Sequence, residues 1–182
     1  MQLVVPSITY QESFLSAVDE YQKEQKSSMH MRNEHYNLLN KGELVHNFQA
    51  YVDLVKSRST GRNLPPGYVP ESTFWYVDNN TYIGRVSIRH TLTKPLLETG
   101  GHIGYDIRPS QRGKGYGNKL LSLALEKAKD LGITKVLITC NVNNIPSKKV
   151  IEANKGIFEN RVKTQEGESD KLRYWITLEN QP

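Results

Sequence analysis

A single cysteine, Cys140, occurs in the 182 residues. That excludes an internal disulfide and a cysteine-built zinc cluster, so stability has to come from packing. Long apolar runs are missing too. No stretch approaches the roughly 20 residues that span a bilayer, and the opening Met-Gln-Leu-Val-Val-Pro lacks the basic region and apolar core of a secretory signal. Neither sign of charge dominates: a formal net charge of +5 suits one small polyanion as well as an extended nucleic-acid face. Hydrophobic residues make up 37% and mean hydropathy is -0.60, as in globular proteins. The length fits one domain, 1–182, with a continuous core. The expectation is a cytoplasmic protein without a metal, a membrane partner or a nucleic-acid partner, present as a monomer or homodimer.

What is there divides into recognisable segments. Leu3-Val4-Val5 reads as a short strand. Thr9-Tyr-Gln-Glu12 has capping-box spacing, and Tyr10, Phe14, Val18 and Tyr21 form one helical stripe behind it. The polar stretch from Lys23 to Lys41 says little; Met29-His30-Met31 within it reads as surface rather than as a metal site. Leu44, Phe48, Tyr51/Val52 and Val55 mark a second amphipathic helix. Ser57 to Glu71, with Pro65, Pro66, Gly67 and Pro70, reads as a long loop. Thr73–Asp78 and Thr81–His90 are β-rich runs joined by Asn79-Asn80, a good hairpin turn because asparagine tolerates positive φ.

After a loop over Thr91–Gly101, His102–Arg108 reads as a strand. A helix carries Leu120, Leu121, Ala124, Leu125 and Ala128 on one face and stops at Gly132. Lys135–Cys140 is an apolar run of the buried, parallel type. Ser147–Asn154 is a short helix ending near Gly156. Two last strands, Ile157–Lys163 and Leu172–Leu178, are joined by the turn Glu166–Asp170. The order predicts an α+β fold: a mixed sheet of about six to seven strands with about four helices.

Between the strand His102–Arg108 and the helix lies Arg108-Pro-Ser-Gln-Arg-Gly-Lys-Gly-Tyr-Gly117. Three glycines at alternate positions, flanking cations and a helix start make an anion cradle, because the first helical N–H groups lack internal partners. The dinucleotide pattern G-x-G-x-x-G fails, since position 118 is Asn118. The P-loop fails as well, since Gly113-Lys114 is followed by Gly115 rather than Ser or Thr.

The segment Arg112-Gly-Lys-Gly-Tyr-Gly117 resembles the R/Q-x-x-G-x-G/A acetyl-CoA signature of the GNAT N-acetyltransferase superfamily. Asn144-x-x-Ser147-x-x-Val-Ile-Glu152, followed by Gly156, is similar to that family's second conserved block. Gly61-x-x-Leu-Pro-x-Gly-x-Val-Pro70, Arg89-His90 and Gly100-Gly-His-Ile-Gly-Tyr105 resemble a bacterial branch of uncharacterised predicted acetyltransferases. The resemblance covers nearly the entire chain. It implies a GNAT-like sheet splayed between its fourth and fifth strands. It also implies acetyl-CoA as co-substrate, with no metal, and direct transfer of an acetyl group to a primary amine of a small molecule, peptide or protein. An acyl-CoA-binding regulatory domain with weak or lost catalysis is the alternative.

By that resemblance, the backbone of Arg112, Gly113, Lys114, Gly115, Tyr116 and Gly117 holds the coenzyme's pyrophosphate. Ile107 and Arg108 offer main-chain groups to the pantetheine arm, and Asn144 and Ser147 bind the arm from the other side. The family's general-acid tyrosine falls at Ile151, so that acid is missing; water, Tyr105 or Tyr174 is the alternative proton source. Strand alternation puts His102, Gly104 and Asp106 on one face and Ile103, Tyr105 and Ile107 on the other. His102 and Asp106 are the candidate general bases, His102 because an imidazole titrates in the useful range. Cys140 reads as a buried small hydrophobe.

Overall fold

The computed structural model describes residues 1–27, 40–62, 64–165 and 169–178, with side chains of 25–27 excepted. Met29-His30-Met31 and the centre of the turn at 166–168 lie outside the described residues. Four strands come from the first two-thirds of the chain: β1 (Gln2–Val4), β2 (Glu71–Asp78), β3 (Thr81–Arg89) and β4 (Ile103–Ile107). They form one sheet in the order β1-β2-β3-β4, every pair antiparallel. Three more strands, β5 (Lys135–Asn141), β6 (Ile157–Val162) and β7 (Lys171–Thr177), form a second sheet in the order β5-β7-β6. The expected parting between the fourth and fifth strands is therefore present. The expected parallel pairing of β5 is not: its ladder partner is the antiparallel β7. Burial on both faces gives a continuous apolar run whichever way the partner points, so composition alone cannot separate the two cases.

The four α-helices among the described residues are α1 (Gln11–Ser27), α2 (Lys41–Ser57), α3 (Tyr116–Asp130) and α4 (Ile145–Ala153). Helix α1 does not start from the Thr9 capping box. Ser7, in extended backbone, caps a short 3-10 turn at Ile8–Tyr10 by accepting the Thr9 N–H, and that turn runs into α1. Asn40 caps α2 through the N–H groups of Gly42 and Glu43. Asn79 turns the β2–β3 hairpin at φ 50, as its tolerance of positive φ allows.

Two apolar clusters lie on opposite faces of the first sheet. Phe14, Val18, Tyr21, Leu44, Phe48 and Val52 from α1 and α2 pack on Trp75, Val77 and Tyr82. Leu120, Leu121, Ala124 and Ala128 of α3 and Ile151 of α4 pack on Tyr76, Val86, Ile88, Ile103 and the inner face of β5 and β7. The helical spacing of Leu44, Phe48, Val52 and Val55 and the alternation in β2 account for this division. Phe14 is the hub of the first cluster. It stacks on Trp75 at 4.8 Å and meets Phe48 and Tyr82 edge-on at 5.6 and 5.1 Å.

Helix α1 is also fastened to the end of β4 by charge. The Arg108 guanidinium donates from Nε to Glu20 at 2.7 Å, from NH2 to Ser16 Oγ at 2.7 Å, and more loosely from NH1 to the Ser13 and Tyr82 carbonyls. Glu20 accepts in addition the N–H and hydroxyl of Ser110, both at 3.0 Å. Burial pushes the Glu20 carboxyl up, but the hydrogen bonds from Arg108 and Ser110 outweigh it and hold the group below its ordinary 4.5.

Two outcomes are expected. Phe14→Ala empties the centre of the aromatic cluster and costs about 3–5 kcal/mol by chemical denaturation; a loss below about 1 kcal/mol contradicts the packing described. Because the folded Glu20 pKa is depressed, its stabilisation is complete above 4.5 and is lost as pH falls through the lower folded value. Glu20→Gln should therefore lower the melting temperature at pH 7 and converge with the parent as the solution is acidified below pH 4; a constant offset across that range contradicts the clamp.

Candidate active site

The glycine loop is open where an anion would sit. Gly113 and Gly115 lie at φ 77 and 78, and a Cβ at either would meet nothing within 4 Å. Gly115 starts α3 with no side-chain cap, and no acidic residue stands in the first turn. Among the described residues, no hydrogen bond takes up the amides of Gly113, Lys114, Gly115, Tyr116 or Gly117. Five donors without a partner among the described residues thus lie at or just before the positive end of a helix, which suits a pyrophosphate. Gly117 serves packing as well, because a Cβ there would come within 3.1 Å of Val150; its absence lets α3 close on α4. Lys114 is exposed on the loop, with Nζ on Gln111 Oε1 at 2.9 Å.

Arg112 gives the cradle neither its amide nor its charge, correcting its expected role: its N–H donates to the Pro109 carbonyl at 3.3 Å. Its Nε–H donates to the Ile107 carbonyl at 2.9 Å, NH1 is ion-paired with Glu24, and the guanidinium lies 5.8 Å from the centre of the Tyr21 ring. The side chain pins the loop to α1 and β4.

The β3–β4 register explains which parts of β4 remain for a ligand. The Arg108 N–H donates to Ile83 O and the Arg89 N–H to His102 O, both at 2.8 Å, while Gly84 stands opposite Ile107. Antiparallel pairing alternates, so even-numbered residues of β4 bond to β3. Ile103, Tyr105 and Ile107 turn their main-chain groups toward the parting. Ile107 has its carbonyl held by Arg112, which leaves its N–H on the side of the parting. Arg108 is not where the sequence placed it. Its amide is in the ladder, its carbonyl accepts the Gln111 N–H at 2.9 Å, and its side chain is in the Glu20 clamp. Nothing near Arg108 in the sequence signals this, since Glu20 lies 88 residues away.

The parting itself is a cleft of about 200 Å³ lined by Ile103, Gly104 and Tyr105 of β4, Thr139, Cys140 and Asn141 of β5, Asn144 and Ser147 at the start of α4, and Lys171 of β7. Tyr105, Asn144 and Ser147 come together there. The Tyr105 hydroxyl is 3.0 Å from Ser147 Oγ, and burial pushes its pKa up to about 12 against the opposing pull of that bond. Asn144 Oδ1 caps α4 by accepting the Ser147 N–H at 3.1 Å, which leaves the Asn144 NH2 as a donor. Cys140 is buried at the back, its thiol raised chiefly by burial. Lys171, which sequence reading overlooked, reaches Asn141 Oδ1 at 2.5 Å. No motif surrounds it; only the β5–β7 register, with Asn141 opposite Lys171, brings it to the cleft.

The two candidate bases are both occupied. His102 is buried, its Nδ1 accepts the Leu137 N–H at 2.9 Å, and its own main-chain N–H donates to Leu137 O at 2.7 Å. With Nδ1 accepting, the neutral ring carries its proton on Nε2 and has no free lone pair. Burial, then the Arg89 charge, lower its pKa and keep it neutral. His102 is therefore a bridge between the two sheets, correcting its expected role as a base. Asp106 faces α1 as alternation requires, but Oδ1 accepts the Tyr21 hydroxyl at 2.7 Å and Oδ2 the Arg85 Nε–H at 2.9 Å. That places Asp106 in a fixed ion pair rather than in the cleft. Tyr174 donates to Glu152 at 3.4 Å and is pushed up to about 12 by burial and that carboxylate. Ile151 is fully buried against Gly156, where a Cβ would come within 2.4 Å of it. Among the described residues no group of three or more His, Cys, Asp or Glu side chains is arranged for a metal, and no helix is long and apolar enough to cross a membrane.

Comparison with known proteins agrees with this geometry. A family model described as an acetyltransferase (GNAT) domain matches residues 24–156. Curated sequences give no significant match. Among solved structures, the microcin C7 self-immunity acetyltransferase MccE in complex with acetyl-CoA and AMP superimposes with a TM-score of 0.68 at 16% identity, over 97% of this chain and 91% of that one. The ribosomal L7/L12 α-N-protein acetyltransferase RimL in complex with coenzyme A gives 0.66 at 19%, over 97% and 93%. The ribosomal-protein-S5-alanine acetyltransferase from Vibrio fischeri gives 0.66 at 15%, over 96% and 91%. Because the family model spans well over half of the sequence, and the fold is shared with these solved acetyltransferases, the chain belongs to the GNAT acetyltransferase family.

Proposed function

We propose that the chain is an acetyl-CoA-dependent N-acetyltransferase that passes the acetyl group directly to a primary amine. The observation that carries this is the pairing of an open amide cradle at the start of α3 with a cleft between β4 and β5. Acetyl-CoA, when bound, supplies a thioester activated toward attack by an amine. The amides of Gly113 to Gly117 take the pyrophosphate, and Lys114 adds an exposed charge. Asn144 NH2 and the gap-facing main chain of β4 hold the arm. The Tyr105 and Ile107 amides are the donors for charge developing on the carbonyl oxygen, a device typically worth about 2.7–4 kcal/mol.

The tyrosine in the cleft does not act as a proton donor in this reading. A hydroxyl raised to about 12 is a far weaker acid than a thiol of pKa about 8.5, so Tyr105 gives the departing sulfur a hydrogen bond and keeps its proton. At pH 7 an unprotonated thiolate costs only about 2 kcal/mol, which is why Ile151 can stand where relatives carry an acid.

The acceptor follows from the occupied bases. Neutralising a lysine amine of pKa about 10.4 costs roughly 4.6 kcal/mol at pH 7, whereas an α-amine near 7.8 costs about 1. With His102 and Asp106 engaged elsewhere, the site suits an α-amine of a small molecule or of a peptide or protein terminus. That RimL and the S5 enzyme are named for acetylating ribosomal proteins supports the terminal-amine reading.

Gly115→Asp puts a carboxylate among the phosphates and should weaken acetyl-CoA binding by roughly 3 kcal/mol, more than 100-fold, in calorimetry. The protein should stay folded; undiminished affinity removes the loop from the coenzyme site. Tyr105→Phe should lower kcat about 10-fold with an α-amine acceptor, leave the KM for acetyl-CoA in place, and remove no limb from the pH–rate profile. Disappearance of an alkaline limb would make Tyr105 an acid after all. Tight acetyl-CoA binding without thiol release from any amine defeats the enzyme reading as a whole.

A further inference from the structure

The side of the cleft that faces α1 carries one cation, Lys171, for which the described residues provide no ion pair. In the second sheet, register and alternation place Thr139, Asn141, Lys171 and Arg173 on one face, opposite the core residues Cys140, Leu172 and Tyr174. In the first sheet, Arg85, Ser87 and Arg89 share the face of Asp106 and Gly104. Asp106 points to Tyr21 of α1, so that face is the α1 side.

Arg89 is fixed to the loop before β4, whereas Lys171 lines the cleft. Arg89 NH1 donates to Gly101 O at 2.9 Å and Gly100 O at 3.4 Å. Thr139 Oγ1, on the cleft wall, donates to Thr99 O at 2.7 Å and shares Gly100 O at 3.4 Å. Lys171 lines the same wall and has Asn141 as its hydrogen-bond partner. Between them, Gly104 leaves open space, since a Cβ there would touch nothing within 4 Å.

The neighbouring carboxylates are already engaged. Asp106 holds Arg85, Glu159 holds Arg173, and Asp170 holds Arg161. Glu71 stands opposite Arg89 in the β2–β3 register and, though ion-paired with Arg58, also balances the Arg89 charge. No described carboxylate lies within ion-pair distance of Lys171. A partly buried cation without an ion pair, beside an open space, forms an anion site.

We infer that the acceptor is an amine that also carries an anionic group, a carboxylate or a phosphate, which Lys171 holds on the α1 side of the cleft. This rests on the acetyltransferase reading and narrows it. The same charge favours the neutral form of the incoming amine, because an ammonium would meet a like charge. Lys171 is a specificity residue here; it binds the acceptor away from the reacting atoms.

The test uses matched acceptors with the same kind of α-amine: aspartate α-amide against asparagine α-amide, and phosphoserine α-amide against serine α-amide. Thiol release from acetyl-CoA should favour the anionic member of at least one pair by 10-fold or more in kcat/KM, and the two pairs tell carboxylate from phosphate. In Lys171→Met that preference should collapse to about 1 through a raised KM, and Lys171→Arg should restore much of it. Calorimetry with acetyl-CoA reports whether the coenzyme site of each variant is intact. Equal or faster turnover of the neutral members overturns the inference, as does Lys171→Met slowing both members alike. Binding of the N-acetylated products to the protein with coenzyme A reads the same preference without turnover, and no preference there also overturns it. Acetyl-CoA binding without thiol release from any amine, alongside a clear product preference, would instead count against the acetyltransferase reading and leave the anion site standing.

Discussion

The parting of β4 from β5 is the constraint from which the rest of the site follows. A strand inside a sheet satisfies its main chain on both edges; β4 does so on one. On the other edge the fold provides only a few substitutes, each in a particular place. Leu137 meets the backbone and ring of His102 at the start of the strand, and Arg112 meets the carbonyl of Ile107 at its end. Buried main-chain groups are costly to leave unmet, so what remains between those two ends is available to a ligand with its own amides and carbonyls. The cleft is less a hole in the packing than a length of unfinished sheet.

The same logic governs the glycine loop. Helix α3 could have begun with a Ser or Asp cap, which would have satisfied its first amides internally. It begins with Gly115 instead, with no side-chain cap and no acid in the first turn. Stability is given up locally and recovered at the loop's edges, where Glu20 and Glu24 on one turn of α1 hold Arg108 and Arg112. Two arginines that look like ligands for phosphate are, in the folded protein, the fixings that keep the cradle in shape.

This is also where the sequence was readable and where it was not. The element order, the hairpin at Asn79, the helix stripe through Leu44, Phe48 and Val52 and the glycine cradle rest on local periodicity and turn chemistry, and all are found in the structure. The cap at Ser7, on the 3-10 turn that leads into α1, lies two residues before Thr9, a difference of the kind expected at helix ends. The failures have a common cause. The roles of Arg108, Arg112, His102 and Asp106 are decided by Glu20, Glu24, Leu137, Tyr21 and Arg85, residues up to 88 positions away, and no spacing rule connects them. Lys171 was overlooked for the converse reason: it stands in no motif, and only the β5–β7 register makes it part of the cleft.

Alternation along β4 gives the two halves of the proposed reaction separate supports. Tyr105 points to Ser147 and the α4 side, which the proposed reaction gives to the coenzyme's arm; Asp106, one residue on, points to Tyr21 and Arg85 on the α1 side. One residue of slip would exchange these faces and send a carboxylate into the apolar core around Ile151 and Leu121. The register is held against that slip at both ends of the strand, by the Leu137–His102 bonds at one and the Arg108–Glu20 clamp at the other. A histidine in the sheet junction and an arginine in an ion pair are thus removed from catalysis, and what they secure is the placement of the strand on which the chemistry depends. In the proposed reaction, a site built in this way presents main-chain donors, excludes competing charge from the core side, and leaves the acidity of the amine and of the thiol to set how fast the reaction runs.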